Sequence, residues 1–394
     1  MFRAVLGDSG PRVEVNSTRT LFAALYMAVI GPEVFIVQPG FVQGMVQYLG
    51  FSDQAAGDVA SAEMWGIAIT TVVMTFFAAR FNWRRVFAGS LVIMAISNLA
   101  SLYADTPLAF GFWRFIAGLG AGGVVSLSFA VVGLTRNPDR NFAYLIMWVL
   151  IYGAVVLLAM PTVYKFVGMT GVIIFFALFP ASGLLFVRRL PHSAEDHVQV
   201  EKDAVNLPRY FRWMALAAMF CYFLGQGVVW AYLFLIGMTG GASEQEVANG
   251  LTVSQFAGVA GALCAAVIAN RFGRARPLTV SILLTLLPLF LLFGPIGAVL
   301  YGIAVCIYNY GWNLTHPYLL AAMASFDRSG RVVVHAVAFQ MLGLANGPWI
   351  AARVIGEEDY SNVIRLGIVL FVASLALILP PVVKQKRLLT AAEF

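Results

Sequence analysis

Two short stretches, GFSDQ at residues 50–54 and AARFNWRR at residues 78–85, recur later in the chain as GASEQ at 241–245 and ANRFGRAR at 269–276. The offset is the same for both pairs (241 − 50 = 269 − 78 = 191), and the aligned intervals contain no gap. A constant offset over the whole interval indicates that the chain was built by doubling a half. We therefore expect two parallel repeats with the same fold.

Apolar side chains dominate the composition: 60% of the residues are hydrophobic, only 11% are charged, and the mean hydropathy is +0.84. Such a chain belongs in a lipid bilayer, where about 20 apolar residues cross a hydrocarbon core of roughly 30 Å as a helix. Helices are expected because backbone groups in lipid need internal partners. The formal charge of +6 does not indicate a nucleic-acid partner, because the basic residues lie in short gaps between apolar runs.

Twelve apolar runs, separated by charged residues or by Gly and Pro, fill the chain. The predicted spans cover residues 20–46, 57–79, 86–104, 107–134, 142–163, 169–187, 211–238, 248–269, 278–296, 298–323, 332–352 and 362–383. We predict an all-α polytopic membrane protein with twelve transmembrane helices in two six-helix repeats. The N-terminal bundle is placed at residues 1–187, the linker at 188–210 and the C-terminal bundle at 211–394.

The basic residues fall on alternate sides of the predicted spans. One side holds 21 of the 25 Lys and Arg residues, whereas Lys165, Arg353 and Arg365 lie on the other side beside acidic loops. By the positive-inside rule the first side is cytoplasmic. We predict a multi-pass protein of the cell inner membrane, a monomer, with both termini in the cytoplasm.

The polar linker and the cysteines carry no recognisable site. His192 and His197 match no metal-ligand spacing, and no phosphate-binding glycine loop followed by Lys and Ser or Thr is present. Cys221, Cys264 and Cys306 fall inside apolar runs, and three is an odd number, so no disulfide framework is implied. We expect no metal, no cofactor and no ATP-driven step.

Two motifs resemble those of a known family. The fourth predicted span contains RFIAGLGAGG at residues 114–123, which resembles the Arg-x-x-x-Gly-x-Gly motif of the major facilitator superfamily. The loop NRFGR at residues 270–274 resembles its Asp-Arg-x-Gly-Arg-Arg signature. With the two six-helix repeats, the resemblance covers essentially the whole chain. It implies secondary transport of a small molecule by alternating access around a central site.

The loop signatures depart from the family pattern at their acidic position, which is Ala79 in the first half and Asn270 in the second, and Asn82 replaces a glycine. The resemblance implies that these loops latch helix ends in the outward-open state. The predicted gating residues are Arg80, Arg84, Arg85, Arg271, Gly273 and Arg274. The missing acids leave two interpretations open, a latch or a signal for topology alone.

Ionisable residues inside a membrane are costly and so point to function. Glu33 lies about 13 residues, or ~20 Å, from the cytoplasmic start of the first span, and Arg114 lies about eight residues, or ~12 Å, from the outer start of the fourth. In a core of ~30 Å these depths agree. We predict an ion pair or close electrostatic coupling, with Glu33 as the proton site and Arg114 binding an anionic substrate group or restraining the carboxylate. The alternatives are a structural salt bridge or an arginine that bonds carbonyls within its own half.

Two further ionisable residues, Glu63 and His335, lie near the ends of predicted spans, where water reaches them. They therefore receive little weight as functional residues.

Polar and aromatic side chains form stripes in the second half. Asn309, Asn313 and His316 share one helical face, and Gln226 and Trp230 lie four residues apart on the seventh span. Aromatic walls with a few placed polar groups suit an organic ligand near the midplane. The predicted substrate-binding residues are Arg114, Gln226, Trp230, Asn309, Trp312, Asn313, His316, Gln38 and Gln340. The alternatives are helix packing for the aromatics, interhelical bonds for the amides, and either a proton relay or a simple bond for His316.

Small and helix-breaking residues predict how the spans pack. The run at residues 118–123 has small side chains that let helices approach closely. Pro32 and Pro39 flank Glu33 and predict a bend in the first span.

Three classes of function remain in competition. The leading hypothesis is a secondary active transporter, coupled to protons, for a small organic compound, with amphipathic, aromatic or anionic compounds favoured. The alternative within this class is proton-driven efflux of drugs or metabolites. Drug/proton antiporters of the resembled family usually carry a Gly-Pro motif with a following glycine pair in span five. The fifth predicted span has Pro161 without that glycine pair, which opposes efflux. An intramembrane enzyme would require clustered acid, base or metal-binding residues, and a transporter-like sensor would require a longer soluble tail. We therefore expect no enzymatic activity.

Overall fold

The computed structural model describes residues 13–193, 205–268, 271–327, 331–356 and 359–392. The regular structure of these ranges is helical, and the three short 3-10 helices are Ala78–Arg80, Leu184–Arg189 and Leu287–Leu292. The α-helices are Thr18–Ile30, Glu33–Ile36, Gln38–Leu49, Asp53–Phe77, Trp83–Ser101, Pro107–Gly133, Pro138–Gly183, Arg209–Thr239, Glu244–Ile268, Ala275–Leu286, Gly297–Ser325, Arg331–Val354 and Ser361–Ala392. The predicted all-helical fold is confirmed.

These helices form twelve spans, numbered here along the chain. Span 1 comprises the first three helices, spans 5 and 6 share Pro138–Gly183, and each remaining span begins with one of the other α-helices. Of the described helices, seven are long and apolar enough to cross a membrane, and the one at 140–189 has 50 residues, enough for two crossings. Gly168, with φ of 62°, breaks that helix between spans 5 and 6.

The spans run alternately up and down between two faces. The terminal face carries the described chain ends, the described ends of the linker and the loops at 80–83 and 271–274. The distal face carries the connections at 50–52 and 240–243, where Gly50 and Gly241 adopt positive φ angles of 67° and 96°. A glycine tolerates this left-handed conformation without the strain that a Cβ would add.

Side-chain caps fix where several spans begin. The Ser52 hydroxyl accepts a hydrogen bond from the Ala55 amide at 3.1 Å, so span 2 starts at Asp53, four residues before the predicted start. Thr106 caps span 4 in the same way. Before span 12, the Ser361 side chain and backbone amide donate to the Asp359 carboxylate, and these bonds lower its pKa.

Span 1 is broken near its middle. Its helices end at Ile30 and Ile36, and the short helix Glu33–Ile36 lies between Pro32 and Val37. Pro39 lies in the first turn of the next helix. The bend predicted from the two prolines is present, and it divides the predicted span at residues 20–46 into three helices.

Glycines let spans approach closely within each half. A Cβ on Gly118 of span 4 would overlap the carbonyl oxygen of Glu63 in span 2. In the second half, a Cβ on Gly261 of span 8 would overlap the Tyr310 carbonyl oxygen in span 10. Spans 2 and 4, and their repeat counterparts 8 and 10, form the most extensive helix contacts of the described chain. Close packing of the glycine run is confirmed.

The halves meet mainly along spans 2 and 11, spans 5 and 8, and spans 1 and 7. The described ends of the linker pack at the terminal face: the Trp83 amide donates to the His192 carbonyl at 3.1 Å, and the Val205 amide donates to the Ser325 carbonyl at 3.0 Å. Residues 194–204, including His197, lie outside the described residues. The division into bundles at residues 187 and 211 stays a prediction.

Candidate functional site

Arg114 and Glu63 form a buried ion pair between spans 4 and 2. The guanidinium donates from Nε to Oε2 at 3.1 Å and from Nη2 to Oε1 at 2.5 Å, a bidentate geometry. The two side chains are 1% and 7% exposed. The direct partner of Arg114 is therefore Glu63 rather than the predicted Glu33, and the expectation that Glu63 would be hydrated is wrong.

The remaining surface of Arg114 is also covered. Its Nη1 donates to Asn98 Oδ1 of span 3, and the Asn98 Nδ2 donates in turn to the Phe176 carbonyl of span 6 at 2.7 Å. The guanidinium carbon lies 5.1 Å from the centre of the Phe41 ring in span 1, within cation–π range. Arg114 thus ties four neighbouring spans of its half together. In this conformation it has no free edge for a substrate anion.

Glu33 lies at the first position of the short helix in span 1 and is 1% exposed. Neither of its carboxylate oxygens has a hydrogen-bond partner. The hydrogen bonds of the Arg114 guanidinium go to Glu63 and Asn98, and none goes to Glu33. The predicted electrostatic coupling of Glu33 and Arg114 stays a prediction.

Aromatic rings surround the break in span 1 from the other half. The indole of Trp230 in span 7 donates to the Phe35 carbonyl at 3.0 Å. Trp312 of span 10 lies with its ring centroid 5.5 Å from that of Trp230 and 6.2 Å from that of Phe35, both edge to face. The predicted substrate residues Trp230 and Trp312 therefore lie together at the interface between the halves.

The amide stripe of span 10 faces span 8. Asn309, which is 2% exposed, donates to the Ser254 hydroxyl at 3.3 Å, and Asn313 donates to Asn309 Oδ1 at 2.9 Å. Ser254 is the repeat counterpart of Glu63 (254 − 63 = 191). The position that holds a charged pair in the first half therefore holds a neutral hydrogen bond in the second. Ligand binding by Asn309 and Asn313 stays a prediction.

The other predicted polar residues lie on spans 1, 7, 10 and 11. Gln226 is fully buried and its Oε1 accepts from the Tyr308 hydroxyl. The His316 Nε2 and Gln340 Oε1 are 3.2 Å apart, which joins spans 10 and 11. Gln38, 3% exposed, has no partner for its Oε1.

The predicted gating residues lie at the terminal face. Arg84 donates from Nε to the Leu190 carbonyl at 2.7 Å, and Arg274 donates from Nη1 to the Ala321 carbonyl at 2.6 Å. Gly273 has a positive φ of 69°. Arg80, Arg85 and Arg271 are exposed, and Asn270 lies outside the described residues. Both anchored arginines hold their loops to the end of a span within the same half.

Hydrogen bonds between the halves gather toward the distal face. The Tyr360 hydroxyl donates to Asp53 Oδ2 and the Tyr232 hydroxyl to the Asp53 carbonyl, each at 2.7 Å. Arg353 donates to both carboxylate oxygens of Asp58, a partly exposed pair that joins spans 11 and 2. These bonds close the described spans against one another on the distal side of the aromatic rings.

The sequence as a whole is similar to a known family. A model of the Major Facilitator Superfamily matches residues 23–348, most of the chain. The chain belongs to the major facilitator superfamily. Members of this superfamily are multi-pass membrane transporters rather than enzymes.

Solved structures confirm the superfamily's twelve-helix fold. The inward-open xylose transporter XylE from E. coli gives a TM-score of 0.72 at 14% identity, covering 92% of this chain and 96% of that one. A D-xylose-proton symporter gives 0.71 at 14% identity, covering 90% and 96%. A mutant of the nucleoside transporter NupG gives 0.69 at 15% identity, covering 92% and 98%. At these identities the likeness concerns the fold alone.

One curated relative is similar over part of its sequence. The gentisate transporter of Corynebacterium glutamicum is 29% identical over 122 residues, which are 31% of this chain and 26% of that protein. The match therefore spans about a quarter of the relative's length.

Two buried residues of the site escaped prediction from the sequence. The apolar run predicts that span 2 begins at residue 57, which puts Glu63 near a span end. Ser52 is a good N-cap and is the signal that moves the start to Asp53. At ten residues from that start, Glu63 lies about 15 Å deep. Asn98 carried no signal, because a single amide in an apolar run does not show which helix it faces.

Proposed function

We propose that this facilitator superfamily member is a secondary active transporter for a small organic compound with an aromatic ring and an anionic group, coupled to protons through Glu33. It works by alternating access, and both termini lie on the cytoplasmic side of the inner membrane, as the distribution of Lys and Arg supports. The observation that carries the proposal is a carboxyl group without a hydrogen-bond partner at a helix break between the halves.

Proton coupling is supported by the state of the charges around Glu33. An unpaired carboxylate ion this deeply enclosed is very costly, and Arg114 is already committed to Glu63. Glu33 is therefore neutral in this conformation. A rearrangement that admits water or brings the guanidinium closer would let its proton leave. Binding and release of the proton would thus follow the conformational cycle.

The rearrangement itself is supported by the bonding between halves. Asp53, Asp58, Tyr232, Tyr360 and Arg353 hold the halves together toward the distal face. Separating these contacts while the terminal ends of the spans approach would expose the aromatic rings to the other side. The solved inward-open relative has the same fold, which is consistent with such a cycle.

The preference for an aromatic anion has two supports. Trp230 and Trp312 present ring edges and faces beside the break in span 1, which suits a flat ligand. The matched relative is named as a transporter of gentisate, which is a dihydroxybenzoate.

The test is transport by the purified protein in liposomes under an imposed pH gradient, with a panel of aromatic acids, sugars, nucleosides and cationic dyes. Uptake of a small organic compound that follows the pH gradient and collapses with a proton ionophore supports the proposal. Absence of gradient-driven movement for the whole panel, in both directions of the gradient, would refute it.

A further inference from the structure

A groove with a volume of about 510 Å³ opens on the outer surface of the second half, between the distal parts of spans 8 and 10. Apolar side chains beside it are strongly exposed: Val253 is 56% exposed, Val299 78% and Ile303 49%. In a span that crosses the bilayer, such side chains face hydrocarbon. The volume lies within the roughly 300–1,000 Å³ that ligand pockets occupy. The groove is therefore a lipid-facing feature, separate from the aromatic rings between the halves.

The first half has no opening at the corresponding place, because a valine fills it. Gly250 of span 8 replaces Val59 of span 2 at the repeat offset (250 − 59 = 191). A Cβ on Gly111 of span 4, which is buried, would lie 3.5 Å from Cγ2 of Val59. A Cβ on the counterpart Gly302 of span 10 would meet nothing within 4 Å. The groove thus arose where one copy of the repeat lost a side chain.

The groove reaches about as deep as one leaflet of the membrane. Along span 10 its lining extends from Ala298 to Ile307, nine residues further (307 − 298 = 9), or about 14 Å along a helix. Half of a hydrocarbon core of roughly 30 Å is about 15 Å. Cys306, where the first half has the larger Phe115, also lines the inner part. One acyl chain of the distal leaflet, lying parallel to the spans, matches this length.

Polar groups line the groove where span 8 begins, at the distal face. Glu246 and Asn249 lie in the first two turns of that span. The Ser243 amide and hydroxyl donate to Oε2 of Glu246 at 2.9 and 2.7 Å, which holds the carboxylate in place. The Gln245 amide donates to Oδ1 of Asn249 at 3.0 Å, so Nδ2 of Asn249 remains a donor. Of the described residues that line the groove, none is Lys or Arg.

An apolar groove with an acid and an amide donor at its outer end matches one kind of membrane component. A phospholipid supplies an acyl chain for the groove and a phosphate oxygen that accepts from Asn249. An ethanolamine headgroup adds an ammonium that pairs with Glu246. Phosphatidylglycerol supplies the chain and the phosphate without a cation, and Glu246 repels its net negative charge. The groove therefore distinguishes headgroups by charge.

A second copy of the chain fits the groove less well. In a two-fold dimer about an axis along the membrane normal, the same surface is buried on both copies. The two Glu246 carboxylates would then lie at the same depth across the contact. The described lining offers no basic side chain to separate them, so they would repel each other.

We propose that the groove between spans 8 and 10 is a binding site for a phospholipid of the distal leaflet whose headgroup carries an ammonium. One acyl chain lies over Gly250 and Gly302, the ammonium pairs with Glu246, and the phosphate accepts from Asn249. The first half cannot form this site because Val59 occupies it. The site does not depend on which substrate the protein moves.

The experiment is native mass spectrometry of the purified protein in detergent, titrated with phosphatidylethanolamine or phosphatidylglycerol of identical acyl chains. We expect the wild type to bind phosphatidylethanolamine about three- to fivefold more tightly, the effect of one exposed ion pair. Gly302→Leu places a side chain in the open groove and should weaken the binding of both lipids about tenfold. Gly89→Leu adds the same side chain at an exposed glycine of span 3, where a Cβ also meets nothing within 4 Å. It is the matched control and should keep wild-type affinity.

A second variant tests the headgroup without altering the packing. The Glu246 side chain is exposed, so Glu246→Gln should fold normally and bind phosphatidylethanolamine no more tightly than phosphatidylglycerol. Equal binding of the two lipids by the wild type would overturn the inference, as would wild-type lipid affinity in Gly302→Leu. A dimer that forms without lipid and is lost in Gly302→Leu would also overturn it, because the groove would then be an interface between copies.

Discussion

Arg114 holds both carboxylate oxygens of Glu63 while it is fully enclosed between four spans. The pair turns two charges that would be costly in a membrane into one neutral, rigid connection between spans 2 and 4. Neither carboxylate oxygen of Glu33, on the neighbouring span 1, has a hydrogen-bond partner. Three buried ionisable groups thus divide into one ion pair and one single carboxyl group.

Breaking the pair from one side should destabilise the protein severely. Glu63→Leu leaves a buried guanidinium without its counter-ion, at a cost of roughly 3–5 kcal/mol. The measurement is the apparent midpoint of thermal unfolding in detergent. The double variant Glu63→Leu with Arg114→Leu should recover much of the loss. Asp58→Asn, which breaks the partly exposed pair with Arg353, should cost about 1 kcal/mol or less. Equal effects of Glu63→Leu and Asp58→Asn would contradict this account.

Replacing Glu33 should uncouple transport from the proton gradient without unfolding the protein. Glu33→Gln keeps the size of the side chain and mimics the neutral carboxyl group that the enclosed position favours. We expect downhill exchange of substrate to continue, uphill accumulation to vanish, and the exchange rate to lose its dependence on pH. Asp105→Asn, at an exposed carboxyl group, is the control and should behave like the wild type. Accumulation against a gradient in Glu33→Gln would assign proton coupling to another group.

A methyl group at Gly118 should disturb the pairing of spans 2 and 4. Its Cβ would overlap the carbonyl oxygen of Glu63, and overpacking of this kind typically costs about 1–3 kcal/mol. Gly118→Ala should lower both the transport rate and the thermal midpoint, and Gly118→Leu should lower them further. Gly89→Ala is the matched control, because nothing lies within 4 Å of its Cβ position. Unchanged rates in Gly118→Leu with normal insertion would rule out the close packing described here.

Weakening the contacts near the distal face should open that side. The combination of Asp58→Asn and Tyr360→Phe removes one partly exposed ion pair and one hydrogen bond between the halves, together about 1–2 kcal/mol. The reporter is a cysteine in place of Ser61, which is 3% exposed beneath these contacts. Its labelling by a membrane-impermeant maleimide should become roughly five- to thirtyfold faster, if the open state is rare in the parent.

The control for this experiment is Asp105→Asn, on the same face but outside these contacts, which should leave the labelling rate unchanged. A rate that the double change does not alter would show that these bonds do not hold the face closed.

Much of the fold follows from the sequence. The repeat at a fixed offset, the apolar runs and the two prolines beside Glu33 predict twelve spans, their order and the bend in the first of them. These properties depend on local composition and on the length needed to cross a bilayer, so no tertiary information is required. The ends of the spans are harder to predict from apolar runs alone, because caps such as Ser52 shift a helix start by a full turn.

The partners within the site were harder to predict. The depth of Arg114 agreed with that of Glu33, but its bond is to Glu63, since pairing depends on the rotation of each helix about its axis as well as on depth. Gln255 had no charge to mark it in the sequence. Gln255 of span 8 lies against Gly153 of span 5, a contact that no local pattern in the sequence predicts. Contacts between neutral groups on separate helices leave little trace in any one stretch of residues.

The bond between Ser254 and Asn309 occupies the repeat position of the charged pair formed by Glu63. The two halves have therefore diverged at this position since the duplication. The first half carries the buried ion pair of Arg114 with Glu63, and the second half carries a neutral hydrogen bond at the corresponding position. A chimera built from two first halves would carry the ion pair twice and lack Trp230 and Trp312, so the proposed transport function depends on the difference between the halves.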